Sequence, residues 1–304
     1  MITFMGMLLV EGGKATKKWG TERANKDDII KCLEFVADHT GIDVGVLRSN
    51  VLGSVDLTMM GYRDDSGDVD IALPQDKYSK EDIHKKMMKA VNGEGVLGGL
   101  GVGSYAVTAG KKKIQVDLMY VPNVKWAKFV YKNDEGRKSK FKNLIRNELL
   151  TCVLHQKIVP GEDVLIKDDE GNVIARASRS FKWDTGVERL FKSTTNRKDG
   201  KGRTKNMGNV TPAQLKKELE QMGVNDSFKD TPDTITNPDD FAVLLFGENT
   251  KTKSIETVES LLHSMKNKLS KTEYNAAMKE AATVLYKRQA KEKFEMPLEF
   301  EEFK

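Results

Sequence analysis

Cysteine is nearly absent. The 304-residue chain has only Cys32 and Cys152, neither with another Cys or a His beside it in a ligand spacing. That leaves no disulfide framework and no zinc site to read. Two free thiols in a reducing compartment is the favoured reading, with a single bridge between them as the alternative. Histidines are few and scattered (His39, His84, His155, His263), and no Ser-His-Asp hydrolase motif accompanies them. Long apolar runs are missing too. The longest, Met5 to Val10 and Phe241 to Phe246, fall far short of the roughly 20 residues of a membrane span. The start has no basic segment leading into an apolar stretch and cleavage site, so no signal peptide, no membrane partner and a cytoplasmic location are expected.

What is present argues for a packed, globular chain. Hydrophobic residues make up 38% and charged residues 31%, enough apolar material for a real core under a solvated surface. The length fits two domains, or one large domain with an appendage. A net charge of +5 and a pI near 8.9 permit a polyanionic partner without requiring one.

Two glycine motifs fail on inspection. Gly13-Lys14-Ala15 resembles the end of a P-loop, but the Gly needed five positions earlier is Leu8 and no hydroxyl residue follows Lys14. Gly93, Gly95 and Gly98 spell G-x-G-x-x-G, yet a helix precedes them and strands follow, the reverse of a dinucleotide site. That segment reads as a flexible connection.

The informative stretch runs from Val51 to Leu73. Val46-Leu47 and Val51-Leu52 read as a strand that stops at Gly53-Ser54, where a turn opens a short helix and presents backbone N–H groups suited to phosphate. Asp64 and Asp65 read as turn residues. Asp68 and Asp70 follow on a strand, where side chains two apart share a face, with Val69 and Ile71 turned into a core. Adjacent carboxylates repel unless a cation sits between them, and hard divalent ions suit such oxygen sites. A second apolar strand, Ile114 to Val121, carries Asp117 between Val116 and Leu118.

This pattern resembles the signature of the DNA polymerase beta-like nucleotidyltransferase superfamily: Gly-Ser, a spacer of about a dozen residues, Asp-apolar-Asp-apolar, then a third carboxylate on a nearby strand. The resemblance implies an α+β fold, with a small mixed-sheet catalytic domain and a mainly helical C-terminal region. It implies Mg²⁺ or Mn²⁺ as cofactor, Asp68 and Asp70 holding both ions and Asp117 one of them. Gly53 and Ser54 would bind the β- and γ-phosphates of a nucleoside triphosphate. The activity implied is transfer of a nucleoside monophosphate to an acceptor hydroxyl, first of all an RNA 3′ end. A small molecule or a protein is the alternative acceptor, and a non-catalytic phage structural protein on the same fold is the alternative class. A looser resemblance, in Glu11 to Ala15, Lys140 to Leu150 and Asn237 to Gly247, is to nucleotidyltransferase-like proteins of tailed phages. It implies a host cytoplasmic setting.

The rest of the chain supplies context. Helices are expected from Asp27-Asp28 to Gly41 and, after the box Ser79 to Asp82, to about Val91. Strands Tyr105–Thr108 and Ile114–Val121 flank the turn Gly110 to Lys113. Lys14, Lys17, Lys18 and Arg23 read either as a solvated arm packed by Trp19 or as a contact for nucleic acid; the turn lysines carry the same two readings. Phe141, Leu144, Ile145, Leu149 and Val153 form an amphipathic helical stripe, with Arg146 and Asn147 on another face, from which Arg146 is expected to reach the nucleotide. A hairpin joins Asp163–Ile166 to Val173–Ala177. The cationic run Arg197 to Lys205 reads as a mobile loop or as a phosphate contact. Helices then start at Thr211-Pro212, Asn237-Pro238, Ser254 and Ser270, the last two reaching about Phe294. The acidic tail either docks or frays. The expected division is 1–158, catalytic; 159–210, hairpin and basic connector; and 211–304, helical.

Overall fold

The computed structural model describes residues 15–98, 101–131, 143–157, 165–167, 173–193, 196–198, 204–206, 209–211, 214–217, 220, 234–291 and 294–304. The fold is α+β. Its first part runs β1 (Thr21–Glu22), β2 (Ala24–Asn25), α1 (Lys26–Thr40), α2 (Val44–Ser49), α3 (Gly53–Met59), β3 (Asp65–Ser66), β4 (Val69–Pro74), α4 (Lys80–Ala90), β5 (Gly95–Leu97), β6 (Val102–Ala109), β7 (Lys112–Val121) and α5 (Val124–Tyr131). β7 is the spine of a mixed sheet. β6 runs antiparallel along one side of it, with β5 beyond. On the other side β1 and then β4 pair with it in parallel, at successive positions along its length.

Strand alternation decides what each face of this sheet carries. Val69, Ile71 and Leu73 of β4, with Ile114, Val116, Leu118 and Tyr120 of β7, are buried beneath α1 and α4. α1 fits that role because Ile29, Cys32, Leu33 and Val36 fall on one helical face. Asn25 and Asp28 close its N-terminus in a reciprocal capping box, and Gly41, at φ 80°, ends it. The opposite face carries Ala72, Met119 and Val121, covered by α5 and the C-terminal helices. Asp70, Gln115 and Asp117 belong to the same face by alternation.

The second part comprises α6 (Asn143–Lys157), β8 (Leu165–Lys167), β9 (Val173–Lys182), β10 (Gly186–Ser193), β11 (Asn196–Lys198), β12 (Thr204–Asn206), β13 (Asn209–Val210), β14 (Thr234–Ile235), α7 (Pro238–Phe246), α8 (Val258–Lys268) and α9 (Lys271–Gln289). β8, β9, β10 and β13 form an antiparallel sheet, with β14 also on β10. Trp126 of α5 knits the parts together. Its Nε1 donates to the Lys182 carbonyl at 2.8 Å, and its ring meets Phe181 and Phe241 edge-on at 5.5 and 5.6 Å. One apolar core therefore runs from the first sheet through α5, α6 and β9 to α7, α8 and α9. Among the described residues, no helix is long and apolar enough to cross a membrane.

Several expectations are corrected. Val46-Leu47 lie in helix α2, not a strand, because Asp43 caps the Val46 N–H and only Leu47 is buried. Val51 makes a single antiparallel bridge to Ile71. Asp65 is paired in β3 instead of sitting in a turn, and Gly95 to Leu97 form β5 within the expected flexible connection. α6 is not a one-sided amphipathic helix: Arg146, Asn147, Glu148 and Cys152 are buried along with Leu149 and Val153. Phe141 lies outside the described residues. The Trp183–Ser193 segment, unassigned in the sequence, supplies the β9–β10 turn and β10. Of the cationic run, Arg197 and Lys198 lie in β11 and Lys205 in β12, which pair antiparallel, and residues 199–203 lie outside the described residues. The helix expected at Ser254 begins at Val258, where Thr257 and Ser260 form the capping box, and the last long helix ends at Gln289. Both cysteines are free and buried. The tail docks: Phe300 is buried and its carbonyl accepts from the Tyr286 hydroxyl at 3.0 Å.

Candidate functional site

Asp70 and Asp117 are register partners on the parallel strands β4 and β7. Asp68 stands just ahead of β4, two residues before Asp70. One ligand atom from each of the three carboxylates lies within 4.8 Å of the others, so the group is able to hold a metal ion. The cost of gathering them is legible in their protonation. Burial pushes the Asp70 carboxyl well above the usual range, and the neighbouring charges of Asp68 and Asp117 push it further. Burial also raises Asp117, against the pull of the nearby Ser104 hydroxyl and Gln115 amide. The Oδ1 atom of Asp117 is buried and has no hydrogen-bond partner, while its Oδ2 accepts from Gln115 Nε2 at 2.8 Å. An orphaned carboxylate oxygen in a group of three carboxylates is what a hard cation would satisfy.

Gln115 is a residue that sequence reading passed over. It is 1% exposed, and its Oε1 accepts from the Thr16 N–H at 3.2 Å and the Thr16 hydroxyl at 2.7 Å. Those two donors orient the amide so that its N–H₂ faces Asp117. The strand spacing Gln115-x-Asp117 was the available signal, since residues two apart share a face. Gln115→Met is expected to weaken Mn²⁺ affinity by about 10–100-fold, the usual loss when a ligand's outer partner is removed. Titration calorimetry across pH 6–8 checks this: without the amide Asp117 holds its proton more tightly, so binding should move to higher pH. Unchanged affinity would show that Gln115 orients nothing.

Gly53 and Ser54 open α3 beside the carboxylates, as the sequence indicated. The Leu52 N–H donates to the Asp70 carbonyl at 3.0 Å and the Ala72 N–H to the Asn50 carbonyl at 2.9 Å, pinning residues 50–52 to the outer edge of β4. Gly53 has φ 59°, a left-handed conformation that a side chain would strain. The preceding Leu52 offers no side-chain cap to the helix. Ser54 Oγ lies 2.5 Å from Ser66 Oγ, tying α3 to the segment that leads into Asp68. Ser66 is fully buried and was not singled out in the sequence.

A cavity of about 290 Å³ adjoins Gly53, walled by Asp56 of α3, by Lys125, Lys128, Phe129 and Tyr131 of α5 and by Glu256. Lys128 Nζ also donates to the Ser49 carbonyl. Burial, with the carboxylates of Asp70, Asp184, Asp117 and Asp68, holds the Tyr131 phenol firmly protonated, so it stands near the acidic group as a neutral donor. Its ring meets Trp183 edge-on at 6.0 Å, which brings the β9–β10 turn to the same region.

Arg146 is not brought to the carboxylates. It is 1% exposed in the core, donating to the carbonyls of Glu256 (2.8 Å), Phe129 (2.6 Å) and Val130 (3.1 Å). Its guanidinium carbon lies 4.9 Å from the centre of the Phe129 ring. Phe129 and Glu256 both wall the cavity, so Arg146 braces that wall from behind. Neither a family model nor a curated protein matches the chain.

Proposed function

We propose that the chain is a metal-dependent nucleotidyltransferase that moves a nucleoside monophosphate from a nucleoside triphosphate to an acceptor hydroxyl, the RNA 3′ end being the leading acceptor. The observation that carries this reading is the register pair Asp70–Asp117 with Asp68 beside it, three carboxylates on one sheet face next to the Gly53 end of α3. A purely structural site has no reason to keep such a costly cluster.

Asp68, Asp70 and Asp117 would hold Mg²⁺, whose hard-oxygen preference they match. Such ions supply charge neutralisation to the phosphates and acidify an attacking hydroxyl. The chain's own groups do the rest. Gly53, with Lys125 across the cavity and Ser54 next to it in α3, binds the phosphates and fixes the triphosphate chain. Tyr131 donates a hydrogen bond as a neutral phenol. Asp117, its Oδ2 held by Gln115, stands beside the acceptor hydroxyl and takes up the acceptor's proton as general base. The acceptor oxygen bonds to the α-phosphorus, the bond to pyrophosphate breaks, and pyrophosphate leaves toward the cavity.

The test incubates purified protein with each α-labelled nucleoside triphosphate, Mg²⁺ or Mn²⁺, and either total RNA or a small-molecule mixture. Label is expected at RNA 3′ ends with release of pyrophosphate. No transfer to any acceptor, together with no metal-dependent nucleotide binding, would overturn the enzymatic reading.

A further inference from the structure

Three segments far apart in the chain meet at the start of β7. β1 pairs there, Thr21 opposite Lys113 and Glu22 opposite Ile114, while β2 pairs with β3, Ala24 opposite Ser66. This pairing gathers Lys17, Lys18 and Arg23 of the N-terminal arm, Arg63 of the loop before β3, and Lys111 and Lys112 of the β6–β7 turn. Arg23 Nη2 lies 2.8 Å from Asp65 Oδ1 on the surface. Arg63 and Lys112 also act on the Asp65 carboxylate, and Arg23 feels Asp68 itself. The cations therefore spread outward from the edge of the carboxylate site. Glu22, Asp28, Asp64 and Asp65 lie among them, and Lys112 Nζ is 3.3 Å from Asp28 Oδ2, which still leaves fewer carboxylates than the six cations. Flat and apolar groups are interleaved: Tyr62 is 40% and Met60 50% exposed, and the Lys18 ammonium sits 4.3 Å over the Trp19 ring. Cations for a phosphate backbone beside rings for unpaired bases are the elements of a single-strand platform.

Position along β7 gives the surface a direction. The arm lies beside Lys113 and Ile114, the carboxylates come next, and Met119 and Val121 beyond them run under the helices that wall the cavity. In phosphoryl transfer the attacking and leaving oxygens lie in line, on opposite sides of phosphorus. With pyrophosphate on the cavity side, the attacking end arrives from the arm side. We propose that this arm-and-turn surface is the track for a single-stranded nucleic acid whose 3′ end reaches Asp117. The direction rests on the transferase reading; the binding does not.

Fluorescence anisotropy of a labelled 12-nucleotide oligo(A) RNA on the full chain, from 50 to 200 mM KCl, tests it. The paired variants Lys17→Glu/Lys18→Glu and Arg63→Glu/Lys111→Glu are each expected to weaken binding by about tenfold or more. Each should also reduce the slope of log K against log salt by about 1.4, at about 0.7 per phosphate contact. Lys279→Glu/Lys287→Glu, exposed on α9, should change neither quantity. A duplex of the same length should bind more weakly, since its bases are not free to stack on the rings. Equal binding by all variants, or equal loss in the α9 control, overturns the track. Mn²⁺-dependent ATP binding, measured in parallel, separates the two claims. ATP binding without RNA binding sinks the track and leaves a small acceptor. RNA binding that fails selectively in the arm and turn variants, without ATP binding, upholds the track and sinks the transferase.

Discussion

Asp70→Asn is expected to make the metal-free protein more stable while slowing the proposed nucleotidyl transfer by about a thousandfold or more. The two effects have one cause. Asp70 is held among Asp68 and Asp117 with little solvent to screen it, and its folded-state proton affinity lies well above that of the unfolded chain. For an acid shifted in that direction, the folded state is penalised as pH rises past the unfolded pKa, and the penalty is complete above the folded one. The metal-free protein should therefore lose stability from mildly acidic toward neutral pH, and the neutral amide removes Asp70's share of that loss. A gain of about 1 kcal/mol would appear as a rise of about 2–4 °C in melting temperature. Under the proposed transferase reading the same substitution removes a carboxylate that the divalent ions would need, and several kcal/mol of transition-state stabilisation convert to about three orders of magnitude in rate. Thermal melts with and without Mn²⁺ distinguish the states. The parent chain should gain about 2.7 kcal/mol at a hundredfold excess of ion over Kd, and Asp70→Asn much less. A variant that melts lower than its parent, or responds equally to Mn²⁺, would show that the carboxylates are not a strained metal site.

Arg146→Met should have the largest effect on stability, and its pattern decides what the guanidinium does. The sequence places Arg146 among the nucleotide contacts; in the fold its donors serve the carbonyls of Phe129, Val130 and Glu256. The Val130 carbonyl keeps the Asn143 and Asn147 amides as donors, but methionine leaves the Phe129 and Glu256 carbonyls without the guanidinium, at about 1–3 kcal/mol each. A loss of about 3 kcal/mol, or about 6–12 °C, is expected. Nucleotide affinity measured well below the melt should fall only modestly, through loosening of the cavity wall. A melting temperature within 2 °C of the parent, with nucleotide binding abolished, would instead assign Arg146 to the ligand.

These two residues mark how differently parts of the site register in a linear chain. Asp70 and Asp117 stand in apolar strands, and Asp68 just ahead of one, where a carboxylate interrupts an otherwise buried alternation. Gly53-Ser54 is equally local, a glycine at a positive φ where a helix opens. Arg146 is conspicuous for the opposite reason: a cation within an apolar helix suggests a ligand, yet backbone carbonyls from α5 and from the segment before α8 reach it only after folding.

Residue type and spacing alone determined the Gly41 end of α1, the caps of α7 and α9, and the three carboxylates as candidates, because each depends on neighbours within one element or on strand alternation. Tertiary structure alone decided that β4 and β7 lie in register with Asp70 opposite Asp117, and that Thr16 reaches Gln115. It also decided that the arm, the loop before β3 and the β6–β7 turn share one surface. Those arrangements join groups up to a hundred residues apart, and no local preference of the chain encodes which of them will meet.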